Sequence, residues 1–354
     1  MKNEIAIDTV NTENKRLIGL DILKILSMFF ILIHHFSKHG GFYANATGFS
    51  QTIIYILNIL FLPSVNIFVF VSAYLIVKKN SFKLRRLLYL YLQIVFFAIF
   101  TYLFSLLITK QSFSVTTLFQ CLDPFNNFFW FTNSYMFLYV LTPLLLLIVN
   151  KLNKKAYLIL IYALLLVTIF STYTPLWPFL SKGFSDMWFI FLFLFAGYIA
   201  KFDISFKKWV WIVLYAVSLV ISYFCFPETI ANPVYTTLST IISTVSLFNI
   251  FKDITIKNKF FTKTIQLVAS STLGIYLLHD SHFIQQILYS KIINTPYFYT
   301  RPTSILWFFL FIIATFIVCL LFDVARKYVC KLFLKIIEKI KDKNKNEDIK
   351  KDTV

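Results

Sequence analysis

Four side chains that can carry charge lie within one apolar stretch near the start of the chain: Asp21, Lys24, His34 and His35. At 100° per residue, Lys24 and His35 share one helix face about 16 Å apart, and Asp21 lies one turn below Lys24 near that face. His34 points roughly 100° away from His35. A histidine that titrates near neutral pH can act as a general base. Such a polar stripe on a membrane helix predicts that the helix lines an interior or a water-filled cavity.

The same residues also fit simpler structural roles. Asp21 and Lys24 could form a local ion pair near the inner interface, with the charged end of Lys24 reaching water, and His35 could be a hydrogen-bonded histidine inside a bundle. His35 and His39 also have the i, i+4 spacing of a metal-binding pair, but no third ligand is evident nearby. The four cysteines are scattered and form no CxxC pair. We therefore predict no metal site.

The rest of the chain is too apolar for a water-soluble domain. Of its 354 residues, 58% are hydrophobic and 14% are charged, whereas soluble domains carry about 25% charged residues. One soluble core cannot hide so much apolar surface, so lipid must solvate much of it. The net charge is +18, but Lys and Arg lie in short clusters between apolar runs. That distribution is typical of a membrane protein and argues against a nucleic-acid partner.

The length of the apolar runs predicts an all-α, polytopic membrane bundle of about ten transmembrane helices. Each run must be helical, because a chain that crosses lipid has to satisfy its own backbone hydrogen bonds. Neither a strand-like alternation nor an internal repeat is evident. The predicted spans are 17–37, 53–77, 87–108, 128–149, 156–172, 184–200, 209–226, 235–251, 265–289 and 304–325.

The basic residues predict the orientation of these spans. With the N-terminus inside, 28 of the 34 Lys and Arg residues fall in inner segments, five fall in outer segments, and Lys24 lies within a span. Inner loops of membrane proteins carry such an excess, so both termini are predicted to be cytoplasmic.

Three regions follow from these spans: a cytoplasmic N-terminal tail (1–16), a transmembrane domain (17–325) and a basic C-terminal tail (326–354). In 326–345, apolar residues recur at helical spacing between lysines, which predicts an amphipathic helix on the anionic inner leaflet. Residues 344–354 are predicted to be disordered. The apolar positions are Val329, Leu332, Phe333, Ile336, Ile337 and Ile340.

Several segments, in a consistent order, resemble acyltransferase family 3. Residues 16–35 (RLIGLDILKILSMFFILIHH) are similar to the first helix of that family, whose hallmark is an Arg and, after ten residues, a His; Lys24 and His35 stand at those positions. Residues 66–75 (NIFVFVSAYL) resemble a Phe-rich segment that ends in Ser-Gly-Tyr-Leu, with Ala73 in place of Gly. A basic stretch (83–89), a Trp-Phe helix start (130–139) and a Tyr-Leu-x-His segment (270–279) complete the likeness across 16–325.

The resemblance implies that 17–325 is an acyltransferase domain. It implies transfer of an acyl group, usually acetyl, from cytoplasmic acyl-CoA to a cell-envelope glycan, with no permanently bound cofactor. The implied donor-binding residues are Lys24, Arg85, Arg86 and Ser72. His35 is the implied general base, since an acceptor hydroxyl is a poor nucleophile. Partners would be acyl-CoA, the glycan acceptor, membrane lipids and the glycan-synthesis machinery, and the location a bacterial cell membrane.

The remaining residues of the predicted site have supporting roles. Asp21 would orient Lys24, and His279 would be a second acid, base or acceptor contact, or only a polar helix end. The aromatic residues Trp130, Tyr135 and Tyr139 could stack on sugar rings, or belong to the interfacial aromatic belt.

Two further classes of function fit some of these features. A transporter or flippase of a lipid-linked glycan would also carry charges inside the membrane, but it would often show repeats or paired broken helices. A non-catalytic membrane partner in polysaccharide export would not need the spacing of Lys24 and His35. Handling of acetyl-CoA by the purified protein separates the three classes.

The charge asymmetry makes the topology testable. A reporter fused after Val354 should be cytoplasmic, and one inserted near Asn45 should be external, because an even number of spans returns the chain to the inner side. Accessibility of the two reporters to a membrane-impermeant reagent is the measurement. An external C-terminal reporter would contradict the even span count.

Overall fold

The computed structural model describes residues 16–123, 125, 128–173, 182–204, 206–225 and 234–351, with side chains as far as Leu332. These residues are helical, with no strand among them. The longer helices are α1 (Ile18–Lys38), α3 (Gly48–Phe61), α4 (Ser64–Lys79), α5 (Leu84–Thr109), α7 (Trp130–Lys151), α8 (Lys154–Tyr173), α9 (Asp186–Phe202), α10 (Lys208–Cys225), α11 (Leu238–Phe251), α12 (Lys259–His279) and α15 (Ser304–Lys351). The shorter elements are α2 (Phe42–Asn45), α6 (Val115–Gln120), α13 (Gln285–Ile287), a π-helical turn (Leu288–Ile292) and α14 (Pro296–Tyr299).

The all-helical membrane fold predicted from the apolar runs is confirmed, and each predicted span coincides with helix. Among the described residues, seven helical segments are long and apolar enough to cross a bilayer. The other three predicted spans correspond to α9, α11 and α12, of which the first two are only 17 and 14 residues long. The number of crossings and the cytoplasmic position of both termini stay predictions.

The second predicted span, 53–77, is wrong as a single helix. The structure begins this segment at Gly48 and divides it into α3 and α4 at Leu62 and Pro63. A proline has no N–H for the helix ladder, and its ring collides with the carbonyl four residues earlier, so the ladder is interrupted at Pro63. The break allows α3 and α4 each to pack against α1.

The end of the ninth predicted span is also wrong. Helix α12 ends at His279, not at 289, and Ser281 then accepts backbone hydrogen bonds from Ile284 and Gln285 in a new turn. The Ser281 hydroxyl is 2.7 Å from that of Thr101 on α5. Polar side chains after His279 bind these partners instead of extending the helix, so the apolar residues that follow form short separate elements.

The last predicted span and the C-terminal tail are one helix. Helix α15 continues without a break through Lys351, and the disorder of 344–354 stays a prediction. Lys and Glu are good helix formers, and the tail contains no Pro or Gly to end the helix. The position of this tail on the inner leaflet stays a prediction.

Helix α1 is the centre of the bundle. It packs against α3, α4, α11, α12 and α15, and its Leu23, Met28 and Leu32 are fully buried. By contrast, α8 and α10 lie at the periphery, where only 22% and 17% of the most apolar stretch of each helix is buried. The helix that carries Asp21, Lys24, His34 and His35 is therefore enclosed by protein, and the mostly apolar α8 and α10 are left to face lipid.

A buried ion cluster joins α12 to α15. The carboxylate of Asp323 is fully buried and accepts hydrogen bonds from Arg326 at 2.8 and 2.9 Å, while Lys327 pairs with its other oxygen at 2.8 Å. The cluster fits against α12 only because residue 274 is a glycine, since a Cβ there would overlap the Asp323 carboxylate. A buried charge that loses its partners is strongly destabilising, so this contact fixes the packing of α12.

The close approach at Gly274 can be tested directly. Gly274→Ala should lower stability by about 1–3 kcal/mol, the usual cost of overpacking, because the buried carboxylate has no room to move. The measurement is the thermal midpoint of the detergent-solubilised protein. Thr264→Ala, on an exposed face of the same helix, is the control, and equal midpoints for the two variants would show that the contact does not constrain the packing.

Candidate active site

A cavity of about 410 Å³ runs along α1. It contacts Lys24, Met28, Ile31, His35 and His39, which lie on one face of the helix. Lys24 and His39 are about 22 Å apart along the axis, so the cavity extends over most of the roughly 30 Å thickness of a hydrocarbon core. The predicted shared face of Lys24 and His35 is therefore confirmed.

The two hydrogen bonds of His279 determine which ring nitrogen of His35 carries the proton. His279 Nδ1 is 2.6 Å from the carbonyl oxygen of Ile275, which can only accept, so this nitrogen carries a hydrogen. In the neutral ring His279 Nε2 is then an acceptor, and it lies 2.9 Å from His35 Nδ1. His35 Nδ1 must therefore donate, which leaves His35 Nε2 with a free lone pair. A neutral histidine in this tautomer is ready to take a proton.

Asp280 is a second partner of His35. Its Oδ1 lies 3.4 Å from His35 Nδ1 and accepts a 2.8 Å hydrogen bond from Gln285 Nε2. Both side chains are largely buried, with 8% and 12% of their surfaces exposed for Asp280 and His35. A fixed carboxylate at this distance would stabilise the imidazolium that forms when His35 takes up a proton.

His279 lies behind His35 and does not line the cavity. It is 1% exposed, and its Nε2 is the partner of the Nδ1–H of His35. The described hydrogen bonds of His279 are thus with His35 and the backbone, and its contact with an acceptor stays a prediction.

His34 also lines the cavity, although the sequence geometry predicts that it points away from His35. Its Nδ1 is 3.0 Å from Asn58 Oδ1. The amide nitrogen of Asn58 donates to Ser37 Oγ at 2.8 Å and to the Ile54 carbonyl at 2.7 Å. The helical rotation is as expected, but the cavity is wide enough to contact both histidines.

Asp21 forms its hydrogen bonds with Arg16 and none with Lys24, so its orientation of Lys24 stays a prediction. The buried Asp21 carboxylate accepts two hydrogen bonds from Arg16, at 2.6 Å from Nε and 3.1 Å from Nη2. The planar guanidinium matches both carboxylate oxygens, which a lysine cannot do. In the described part of the chain, Lys24 makes no hydrogen bond or ion pair.

The Lys24 end of the cavity, which is the inner end in the predicted topology, collects several of the predicted donor residues. Ser72 and Tyr135 line it together with Lys24. Tyr135, predicted to contact the acceptor, therefore lies among the residues predicted for the donor. Ser270 lines the same region and accepts a 3.0 Å hydrogen bond from Lys327, a cation that the sequence patterns do not single out.

Arg85 and Arg86 lie outside the cavity at the exposed start of α5. Arg85 Nη2 is 3.3 Å from the Tyr89 hydroxyl and its guanidinium lies over that ring. Arg86 is near enough to Lys24 to interact with it electrostatically. Arg86 thus lies near the Lys24 end of the cavity, and neither arginine lines it.

Aromatic rings form the wall near the other end of the cavity. The Trp130 ring is 6.2 Å from that of Tyr235 with nearly parallel planes, and 4.5 Å from that of Phe184. All three residues line the cavity. Tyr139 does not: it is buried, and its hydroxyl donates to the Lys83 carbonyl. The ring of Tyr139 is therefore not part of this wall, and a sugar-stacking role for it stays a prediction.

A buried asparagine fixes the position of Tyr235. Asn66 Nδ2 donates to the Tyr235 carbonyl at 2.9 Å, and Asn66 Oδ1 accepts from Trp188 Nε1 at 2.9 Å. The three residues come from distant parts of the chain, so no local pattern could reveal the contact.

Asp280, by contrast, could have been found from the sequence. An acidic residue inside the predicted span 265–289 is itself an indication of a functional position.

Comparison with known proteins identifies the family. No curated protein and no solved structure matches this chain significantly. The family model described as an acyltransferase domain matches residues 17–324, nearly the whole chain. The match includes α1 and every helix that lines the cavity. The chain therefore belongs to acyltransferase family 3, and it is a membrane acyltransferase.

Proposed function

We propose that this protein transfers an acyl group, acetyl in the first instance, from cytoplasmic acyl-CoA to a hydroxyl of a cell-envelope polysaccharide or its lipid-linked precursor. The observation that carries the proposal is His35, held in a base-competent tautomer inside a cavity that extends along about 22 Å of α1. A donor from one side of a membrane and an acceptor from the other can meet in such a cavity.

The proposed reaction transfers one proton and replaces one bond of the acyl group by another. His35 Nε2 takes the proton of the acceptor hydroxyl, and the oxygen of that hydroxyl attacks the thioester carbonyl. The new C–O bond forms, the C–S bond breaks, and the CoA thiolate leaves with the proton that His35 returns. Asp280 and His279 stabilise the intermediate imidazolium through the Nδ1 side of the ring.

The inner end of the cavity is suited to the anionic donor. CoA is a polyanion, and Lys24 offers a positive charge inside the cavity, while Arg85 and Arg86 offer two more beside its mouth. Ser72 can add a hydroxyl contact near Lys24. Lysine binds a phosphate as a point charge and not through a bidentate fork, so Lys24 attracts the donor without fixing its orientation.

The aromatic end is suited to the acceptor. Flat rings such as Trp130 and Tyr235 offer apolar faces to sugar rings, and Phe184, 40% exposed, stands at the edge of the cavity. We place the protein in a bacterial cell membrane, where membrane lipids surround the bundle and the glycan-synthesis machinery supplies the acceptor.

The donor site makes a kinetic prediction. Lys24→Gln and the double variant Arg85→Gln/Arg86→Gln should raise the KM for acetyl-CoA more than they lower kcat, because each removes attraction for a polyanion from the inner end. Lys110→Gln, an exposed lysine on a predicted outer segment, is the matched control. An unchanged KM in both donor variants at normal membrane insertion would leave these residues as topology anchors only.

The base makes a second prediction. His35→Gln should lower the rate of acyl transfer by about 10²–10⁴-fold, because glutamine can hold a hydrogen bond but cannot take the proton. His282→Gln, an exposed histidine beyond α12, should be near wild type. The measurement is incorporation of labelled acetyl into envelope glycan, with and without the protein, at matched protein level.

His279 should behave as a positioning residue. His279→Leu removes the acceptor for His35 Nδ1 and should lower kcat and shift the pH–rate profile, while His279→Gln, which keeps an acceptor oxygen, should recover part of the rate. Near-wild-type transfer by His35→Gln, or identical effects of the two His279 variants, would contradict the assigned roles.

A further inference from the structure

We propose that His35, His39 and Asp280 form a binding site for a divalent transition-metal ion, zinc in the first instance, and that a bound ion blocks acyl transfer. The sequence offers the histidine pair but no third ligand. The fold supplies it, because the residue that follows α12 is Asp280 and α12 packs directly against α1.

The three side chains converge on one point. One ligand atom from each lies within 4.8 Å of the other two, and the rings of His35 and His39 are 5.4 Å apart between centroids. Two nitrogen ligands on a tetrahedral zinc ion are about 3.3 Å apart, given Zn–N bonds of about 2.0–2.1 Å. His39 is exposed and can close this gap by rotating its side chain, while His35 keeps its bond to His279 and α1 does not move.

The surroundings meet the other requirements of a metal site. Gln285 orients the Asp280 carboxylate, and His279 accepts the Nδ1–H of His35, as outer partners do for metal-binding histidines. His35 therefore keeps an unprotonated nitrogen, which a metal ion needs. His39 is exposed, so an ion can enter from that end of the cavity. Three protein ligands and one water complete a four-coordinate ion.

Ligand chemistry favours a transition metal over calcium or magnesium. Imidazole nitrogens suit zinc, copper and nickel, whereas the harder cations prefer sites made of oxygen atoms. The carboxylate of Asp280 offsets part of the positive charge of the ion, so the site is not left with two uncompensated positive charges.

Occupation of this site and catalysis exclude each other. The lone pair of His35 cannot hold a metal ion and accept a proton at the same time, and the ion would also fill space where the acceptor hydroxyl has to approach. The inhibition rests on the proposed function of His35, whereas metal binding itself does not.

Binding is measured on the purified full chain in detergent with Co²⁺ as the probe, because four-coordinate Co²⁺ has a visible absorption band that Zn²⁺ abolishes on displacement. The wild type should show the band. His39→Ala and His39→Gln should weaken Co²⁺ affinity at least 10–100-fold, the range for losing even an outer-shell partner. His282→Ala, which removes an exposed histidine two residues from Asp280, should leave the affinity unchanged.

Inhibition is measured as the Zn²⁺ concentration that halves acyl transfer, with each variant compared with its own metal-free rate. That concentration should rise in both His39 variants by the same factor as the loss in Co²⁺ affinity, and should not change in His282→Ala. No Co²⁺ band in the wild type, or equal affinities for the His39 variants and the wild type, would overturn the site. Binding without inhibition would overturn the block. A wild type that shows the band but no acyl transfer in the absence of metal would instead count against the proposed function.

Discussion

The arrangement of the bundle depends on one constraint: ionisable groups inside a bilayer must be enclosed by protein or water. Helix α1 carries more of them than any other predicted span, so five helices surround it. The apolar helices α8 and α10 have no such requirement and face lipid. Because the polar stripe of α1 follows a helical period, enclosing it leaves one elongated cavity and not several separate pockets. The position of the site is thus a consequence of membrane solvation as much as of catalysis.

The fold could be predicted from the sequence because lipid leaves few choices. Long apolar runs must be helices, and the shared face of Lys24 and His35 follows from the helical period alone. The errors occur where local chemistry interrupts a run, at Pro63 and after His279. In both cases the hydropathy of the surrounding residues continues, but the backbone loses its ladder or finds better partners. Hydropathy averaged over a stretch of residues does not show the effect of such single residues.

The site could be predicted only in part, because its decisive contacts are not local. His35 and His279 are separated by 244 positions, and the bond between them determines the tautomer of the base. Asn58 and Tyr235 likewise reach the cavity through tertiary packing. Residue types within one helix reveal which groups can react. The neighbours that set their protonation come from other helices, so the sequence indicates His35 as a candidate but does not show which of its nitrogens is free.

The pairing of Asp21 with Arg16 has a consequence for Lys24. Asp21 is the nearest acidic residue along α1, and a lysine there would ordinarily neutralise it. Arg16 occupies both carboxylate oxygens, which leaves the Lys24 ammonium facing the cavity without an ion pair among the described residues. A partly buried cation in this position is stabilised when an anion enters the cavity. The same bond that anchors the start of α1 therefore leaves the charge of Lys24 available to an anionic ligand.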